Sequence, residues 1–310
     1  MFYQLNKPLF PFTKLKIILT ILICFPFLSV FGQDLEPRVY ANVPKGINVL
    51  AVGYGFITGN VLTDPALPIK DFKLNTQNIG VNYIRSFSIA KKLARVQVSL
   101  PFADMQGKLI QNGEEITGSR SGMADMRIRF GINLTGSPAL DRKDFRQYQQ
   151  KAIFGVSLVT SVPTGRYYED KIINLGNNRW AFKPEIGVSR RFTHLYAEAY
   201  FGTWFYTDNT EYLTNKVLKQ NPTVTLQAHA SYYFKNQMWV GFNTNWYKVG
   251  ETRIDNVPLT KIINDWRVGA TFSAPISKAQ SLRLQFHTGL MSNLGLNYDS
   301  ITLAYQYVFF

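Results

Sequence analysis

The sequence predicts an all-β fold, a twelve-stranded antiparallel up-and-down transmembrane β-barrel. Three observations carry that prediction. Strand-length segments recur about every twenty residues, most of them alternate apolar with polar side chains, and their connections alternate short with long. A β-strand sends successive side chains to opposite faces. In GMADMRIRFGINLTG (122–136), Ala124, Met126, Ile128, Phe130, Ile132 and Leu134 share one face, and Asp125, Arg127, Arg129, Gly131 and Asn133 share the other. A lone strand of this kind fits a soluble sheet with one face in water better than a barrel wall, so the rest of the chain decides between them. If the apolar face meets lipid, a one-residue slip would carry Arg127 and Arg129 into hydrocarbon at about 2–4 kcal/mol each, so the register is strongly specified.

Residues 1–32 read as an export signal. Lys7, Lys14 and Lys16 form a basic leader, and an apolar run over 17–31 is broken by Thr20, Pro26 and Ser29. Val30-Phe31-Gly32 offers a cleavage site that leaves Gln33 first, and the run is short for a transmembrane helix. The sole cysteine, Cys24, lies in this run, so the exported chain has no disulfide, thiolate nucleophile or cysteine-ligated metal. Removing the leader takes three lysines and no acid, which lowers the formal charge from +14 to +11. A basic exported chain suits anionic headgroups or anionic solutes. Its basic residues are scattered and no reader motif is visible, so nucleic acid is not an expected partner.

Residues 33–46, polar and carrying Pro37 and Pro44, form an irregular lead-in able to plug an opening. The barrel then occupies 47–310, with strands expected at 47–58, 74–87, 94–105, 122–135, 151–162, 180–191, 195–206, 223–234, 238–249, 265–274, 282–291 and 301–310. Each is long enough for the roughly 9–11 residues of a tilted crossing, and bacterial barrels use even strand numbers. Arg190 interrupts one apolar face near a strand end, where it can reach headgroups. Connections 88–93, 193–194, 235–237 and 275–281 are short; 59–73, 106–121, 163–179, 207–222 and 250–264 are long and polar. Short periplasmic turns and long outer loops put both termini on the periplasmic side. Connection 136–150 breaks the rule and is expected to hold a helix over 141–151.

Tyr54, Phe56, Trp180, Trp204, Tyr206, Trp239, Trp246 and Trp266 gather where strands meet loops, as interfacial belts do, although aromatics favour strands anyway. The last segment, ITLAYQYVFF, places Ile301, Leu303, Tyr305, Tyr307 and Phe309 in the outward phase, with Phe310 past the last paired residue. This resembles the assembly signal of outer-membrane barrels, off by one residue because the terminal aromatic of that signal usually shares the outward phase and Phe310 does not, and it makes the barrel-assembly machinery an expected partner during biogenesis. A soluble sandwich or lipocalin-like barrel explains the alternation but not these features together. Closure also removes the sheet edges that a bilayer forbids.

The polar faces supply the candidate lumen and solute contacts: Arg95, Asp125, Arg127, Arg129, Lys183, Glu185, Glu198, Gln227, His229, Asn243, Asn245, Arg267, Arg283, Gln285 and His287. A basic lining selects by charge and can hold an anionic or polar solute. The same cations can instead pair with Asp125, Glu185 and Glu198 and brace the wall, since a buried ion must be paired or solvated. Loop 163–179, with Gly165, Gly176 and Asn177-Asn178, is flexible enough to fold inward. The enzyme alternative is an outer-membrane phospholipase built on His229-Ala230-Ser231, but both side chains fall in the polar phase, away from lipid. His194 and His287 lie on separate segments, so no metal spacing appears. Gly53-Tyr54-Gly55 opens no helix and is no phosphate loop. The expected partners are outer-membrane lipid and a small-molecule solute, with no cofactor and no catalysis.

Residues 35–56 (LEPRVYANVPKGINVLAVGYGF), 64–71 (DPALPIKD), 83–87 (YIRSF), 125–140 (DMRIRFGINLTGSPAL) and 161–190 (SVPTGRYYEDKIINLGNNRWAFKPEIGVSR) resemble the outer-membrane family labelled "MetA-pathway of phenol degradation". The motifs span the first two-thirds of the exported chain. The resemblance implies a barrel that passes or binds small solutes, aromatic or hydrophobic by the family label. A structural or adhesion barrel acting through its long outer loops is the alternative.

Overall fold

A computed structural model describes residues 35–61, 69–111, 114–171, 173–258, 263–289 and 296–310. The expected export signal, with Cys24, lies outside them, as do parts of connections 59–73 and 250–264 and the end of the expected strand 282–291. The strands are β1 (Asn48–Val61), β2 (Ile69–Ile89), β3 (Lys92–Gln111), β4 (Glu114–Met123), β5 (Met126–Thr135), β6 (Ile153–Val162), β7 (Ala181–Phe192), β8 (Leu195–Tyr206), β9 (Asn209–Tyr212), β10 (Lys216–Gln220), β11 (Thr223–Tyr233), β12 (Trp239–Val249), β13 (Thr252–Ile254), β14 (Val257–Pro258), β15 (Ile263–Pro275), β16 (Gln280–Gly289) and β17 (Leu296–Phe309). Asn48 of β1 stands opposite both Arg85 of β2 and Phe309 of β17, so the sheet closes on itself. β4 and β5 pair in turn with the two halves of β3 and count as one wall strand, which gives the expected twelve.

The wall is inside out relative to a soluble protein. On β7, Phe182, Ile186 and Val188 are exposed while Lys183, Glu185 and Ser189 are buried. On β11, Leu226 and Tyr232 are exposed while Thr225, Gln227, His229 and Ser231 are buried. That pattern lowers free energy only where the exterior solvent is lipid. On β17, Ile301, Leu303, Tyr305, Tyr307 and Phe309 all face outward. Phe310 lies past the last pair, and the Arg142 guanidinium sits 3.9 Å from its ring centroid.

Three elements differ from the sequence reading. The expected loop 106–121 is largely strand, because β3 and β4 continue their pairing through Gln111 opposite Glu114. There the outward residues change from Leu100 and Phe102 to Gln106 and Lys108, so the apolar–polar contrast that marks a strand disappears while backbone pairing goes on. Connections 207–222 and 250–258 contain a small separate sheet in the order β14-β13-β10-β9. The expected helix over 141–151 is one turn, α1 (Arg142–Phe145), with no buried residue to hold a longer one.

The aromatic belt also divides. Tyr54, Trp180 and Trp266 face outward, and Trp246 stands opposite Trp266. Trp239 is buried inside, and Trp204 and Tyr206 line an interior cavity. Closeness to a loop does not choose a face. Parity along the strand does, and these three share the phase of their polar neighbours.

Candidate functional site: the barrel interior

Residues 35–46 turn into the barrel and meet the inner wall near the rim where β1 begins. The turn closes through the Ala41 N–H to the Arg38 carbonyl at 3.1 Å. The Arg38 backbone N–H donates to Glu198 Oε2 at 2.8 Å, its Nη1 reaches Glu198 Oε1 at 3.3 Å, and its guanidinium lies 3.8 Å from the centroid of the Tyr196 ring. Tyr40 sits against Gly155 and Gly187, which oppose each other across β6 and β7; a Cβ on either would run into its ring. Tyr200 packs on Tyr40 edge-on at 5.2 Å. The Tyr40 hydroxyl lies 3.2 Å from Ser157 Oγ and 3.3 Å from Glu185 Oε1. Burial, and then the nearby Glu185 carboxylate, push the phenol well above its ordinary pKa, so it stays protonated. Arg95 donates to the carbonyls of Val39 and Ala41, and Arg129 Nη2 pairs with Glu36 at 3.3 Å.

Above this segment lies an ionic layer. Glu185 accepts from Arg129 Nη1 at 2.7 Å and pairs with Lys183 at 3.0 Å. Next along the same wall, on β11 beside β8, the His229 ring lies between Asn243 Oδ1 at 2.9 Å and Gln227 Oε1 at 3.3 Å, and Asn243 Nδ2 donates to Thr271 at 2.9 Å. Arg267 stacks 3.4 Å from the centroid of the Tyr298 ring and donates to the Tyr298 carbonyl at 2.9 Å. Arg283 lies 5.5 Å from the Trp239 ring centroid. His287 stands opposite Gly269, whose missing side chain leaves room for the imidazole, and Gln285 lies on the same face of β16. His229 and Ser231 both point inward, and the histidine's bonds go to amide side chains rather than to the serine. Among the described residues no group of three His, Cys, Asp or Glu side chains could hold a metal.

Loop 163–179 folds back over the opposite opening and fastens to Asp125, at the break between β4 and β5. Asp125 Oδ1 accepts from the Gly165 N–H at 3.0 Å; Oδ2 accepts from the Asn177 N–H at 2.9 Å and from Asn177 Nδ2 at 3.0 Å. Gly165 and Gly176 cross so closely that a Cβ on either would lie 2.6 Å from the other's backbone. Leu175 packs among Leu74, Ala103 and Met105. Asp125→Ala removes three charge-assisted bonds, each worth about 1.5–3 kcal/mol. In the purified barrel the loop should then be nicked by added protease while the barrel stays folded on a heat-modifiability gel; a loop as resistant as wild type would contradict this anchoring.

Beneath the loop is a cavity of about 270 Å³. Arg127, Arg179 and Lys183 bring three cations to it, Trp204 and Tyr206 bring two rings, and Gln227 and Asn245 are among its polar lining. Arg179 lies 4.6 Å from the Tyr206 ring centroid and donates to Gln220. Burial lowers its pKa from the ordinary arginine value, which still leaves it charged at neutral pH. Lys183 Nζ is 5.3 Å from the centroid of the Trp204 ring.

The fifteen residues read from sequence therefore separate by partner. Arg95, Arg129, Glu185 and Glu198 hold residues 35–46, and Asp125 holds the loop. Arg127, Lys183, Gln227 and Asn245 line the cavity, and His229, Asn243, Arg267, Arg283, Gln285 and His287 lie on the inner face of the wall from β11 to β16. Arg38, Tyr40 and Arg179 escaped the reading because they lie outside strands, where parity gives no signal. Gly155 and Gly187 carried a usable sign: two glycines in the inward phase of neighbouring strands.

The fold is similar to the COG4313 outer membrane channel from Pseudomonas putida F1, at a TM-score of 0.75 and 18% identity over 89% of this chain and 100% of that one. It is also similar to the transport unit of the autotransporter AIDA-I from Escherichia coli, at 0.52 and 11% identity over 90% and 94%. No curated protein matches the chain in sequence. Residues 57–293 match the family model described as "Putative MetA-pathway of phenol degradation". With the architecture of an outer-membrane barrel and that match over most of its length, the chain belongs to this family.

Proposed function

We propose that this outer-membrane barrel is a non-catalytic channel for small solutes, with residues 35–46 as its plug and both termini on the periplasmic side. The observation that carries the reading is the seat of that segment. It enters the wall as an irregular chain held by side chains (Tyr40 on two glycines, Arg38 on Glu198, Glu36 on Arg129), not as a strand of the sheet. Such contacts can be broken without opening the barrel, whose own hydrogen bonds run between strands. The family description points to aromatic or hydrophobic solutes. The outward aromatics of β17 suit recognition by the barrel-assembly machinery.

Liposome swelling tests the channel. Purified barrel should admit small solutes and exclude large oligosaccharides, with an increase when residues 35–43 are deleted. A deletion that folds and passes nothing would overturn the reading. An adhesion barrel is the second reading, favoured by the small outer sheet of β9, β10, β13 and β14 and by the β2–β4 extension past the apolar belt. Trimming 106–121 leaves a channel's flux intact and removes an adhesin's binding.

A further inference from the structure

The two ends of the barrel differ in charge. Connections and strand ends on the side where β1 begins, at 90–92, 136–152, 190–194, 234–238 and 276–279, hold ten lysines and arginines against two aspartates. Those on the other side, at 59–73, 106–121, 163–179, 207–222, 250–264 and 290–300, hold eleven cations and eleven acids. Pairing differs in the same way. At the balanced end Lys108 pairs with Glu115 at 3.0 Å, Arg253 with Glu251 at 3.0 Å and Lys219 with Asp208 at 3.7 Å. At the basic end the one ion pair that these residues make, among those described, joins Asp141 to Lys45 at 3.1 Å. Like charges gathered around one rim give a positive potential that attracts an anionic surface.

The depth of the cations says which surface. Arg190 is exposed on the outward face of β7 that also carries Ile186 and Val188, and its guanidinium lies 5.0 Å from the centroid of the Phe192 ring. Arg85 is exposed on the outward face of β2, two and three positions of the same phase beyond Val81 and Ile79. Arg142 of α1 stacks on Phe310, past the end of β17. Exposed Phe192, Leu195, Phe234 and Ile276 end the apolar wall at this rim. An arginine whose stem lies on an apolar wall and whose head reaches the edge of that wall stands at the level of lipid phosphates. A soluble acidic protein meets the tips of the turns but not Arg85 or Arg190, which lie against the bilayer edge.

We propose that this rim binds anionic phospholipid, with the phosphates on outward cations such as Arg85 and Arg190 and the acyl chains along Phe192, Leu195 and Phe234. The proposal rests on the orientation proposed above, which turns this end toward the periplasmic, phospholipid leaflet; it does not depend on solute passage.

Electron spin resonance of spin-labelled lipids tests it, with the purified barrel in phosphatidylcholine vesicles. Phosphatidylglycerol should associate with the barrel about fivefold more strongly than phosphatidylcholine, the shift that one cation near an anionic surface gives. The preference should fade in about 1 M sodium chloride. Arg142→Gln, Arg190→Gln and Lys235→Gln combined should bring it to about twofold or less, and Arg190→Glu alone should lower it by about half. Lys108→Gln with Lys219→Gln, at the other end, should leave it intact. Each variant is first checked as a folded barrel by heat modifiability. Equal association of the two lipids, a preference kept by the folded triple variant or lost in the other-end variant, or stronger competition by lipid A than by phosphatidylglycerol overturns the proposal. Orientation is read separately: a bulky maleimide should label Asn236→Cys only after cells are broken. Labelling on intact cells overturns the orientation whatever the lipid preference, and a missing preference without such labelling overturns the lipid surface and keeps the orientation.

Discussion

Gly187→Val should turn a quiet barrel into a conducting one. The inner wall at β6 and β7 is bare at Gly155 and Gly187, and the Tyr40 ring fills that bare patch. Any Cβ at 187 would occupy space already taken by the ring, so the ring must leave. Losing a buried aromatic seat costs about 3 kcal/mol, the low end for truncating such a side chain. By mass action that is a shift of about a hundredfold in the ratio of docked to released segment. Residues 36 and 38 do not compensate, because their pairs with Arg129 and Glu198 depend on the turn that Tyr40 anchors. The measurement is single-channel conductance in planar bilayers, with Tyr40→Ala as the matching change on the other surface. Both should give larger and longer openings than wild type. Unaltered conductance in two folded variants would mean that residues 35–46 do not limit passage.

Glu185→Gln should cost more stability than any other single change in the interior. Glu185 is the carboxylate between Arg129 and Lys183, at 2.7 and 3.0 Å, and all three side chains are buried. Glutamine keeps the shape and removes the charge. Breaking a buried ion pair on one side costs about 3–5 kcal/mol, because the remaining charge keeps its desolvation penalty and loses its counterion. Urea unfolding in lipid vesicles should therefore show a clear drop in midpoint. The double change Glu185→Gln with Lys183→Met should recover part of the loss, since an apolar replacement removes the desolvation along with the charge. A single variant as stable as wild type would show that solvent in the interior, rather than Glu185, carries the balance.

The elements that sequence read well share one property, dependence on the strand's own two-residue period. Phe130 outside and Arg129 inside follow from adjacency alone, and so do Val188 outside and Glu185 inside. The same rule sorts Trp266 from Trp239 once parity rather than position is used. Closure into twelve strands was legible because each crossing needs a minimum length and the turns alternate in size. The β3–β4 extension was not legible. Above the apolar belt both faces meet water, and the contrast that betrays a strand vanishes.

By itself, then, the sequence determined which side chains face the interior, because facing is a local consequence of backbone geometry. Only the tertiary structure decided what each of them does there. Arg129, Arg127 and Asp125 alternate on one stretch of chain, yet the first pairs with Glu36, the second lines the cavity and the third holds the loop at Gly165 and Asn177. Those partners come from segments tens of residues away along the chain. They meet because β17 closes onto β1 and bends the wall around a chain that enters it, a proximity that no period in the sequence encodes.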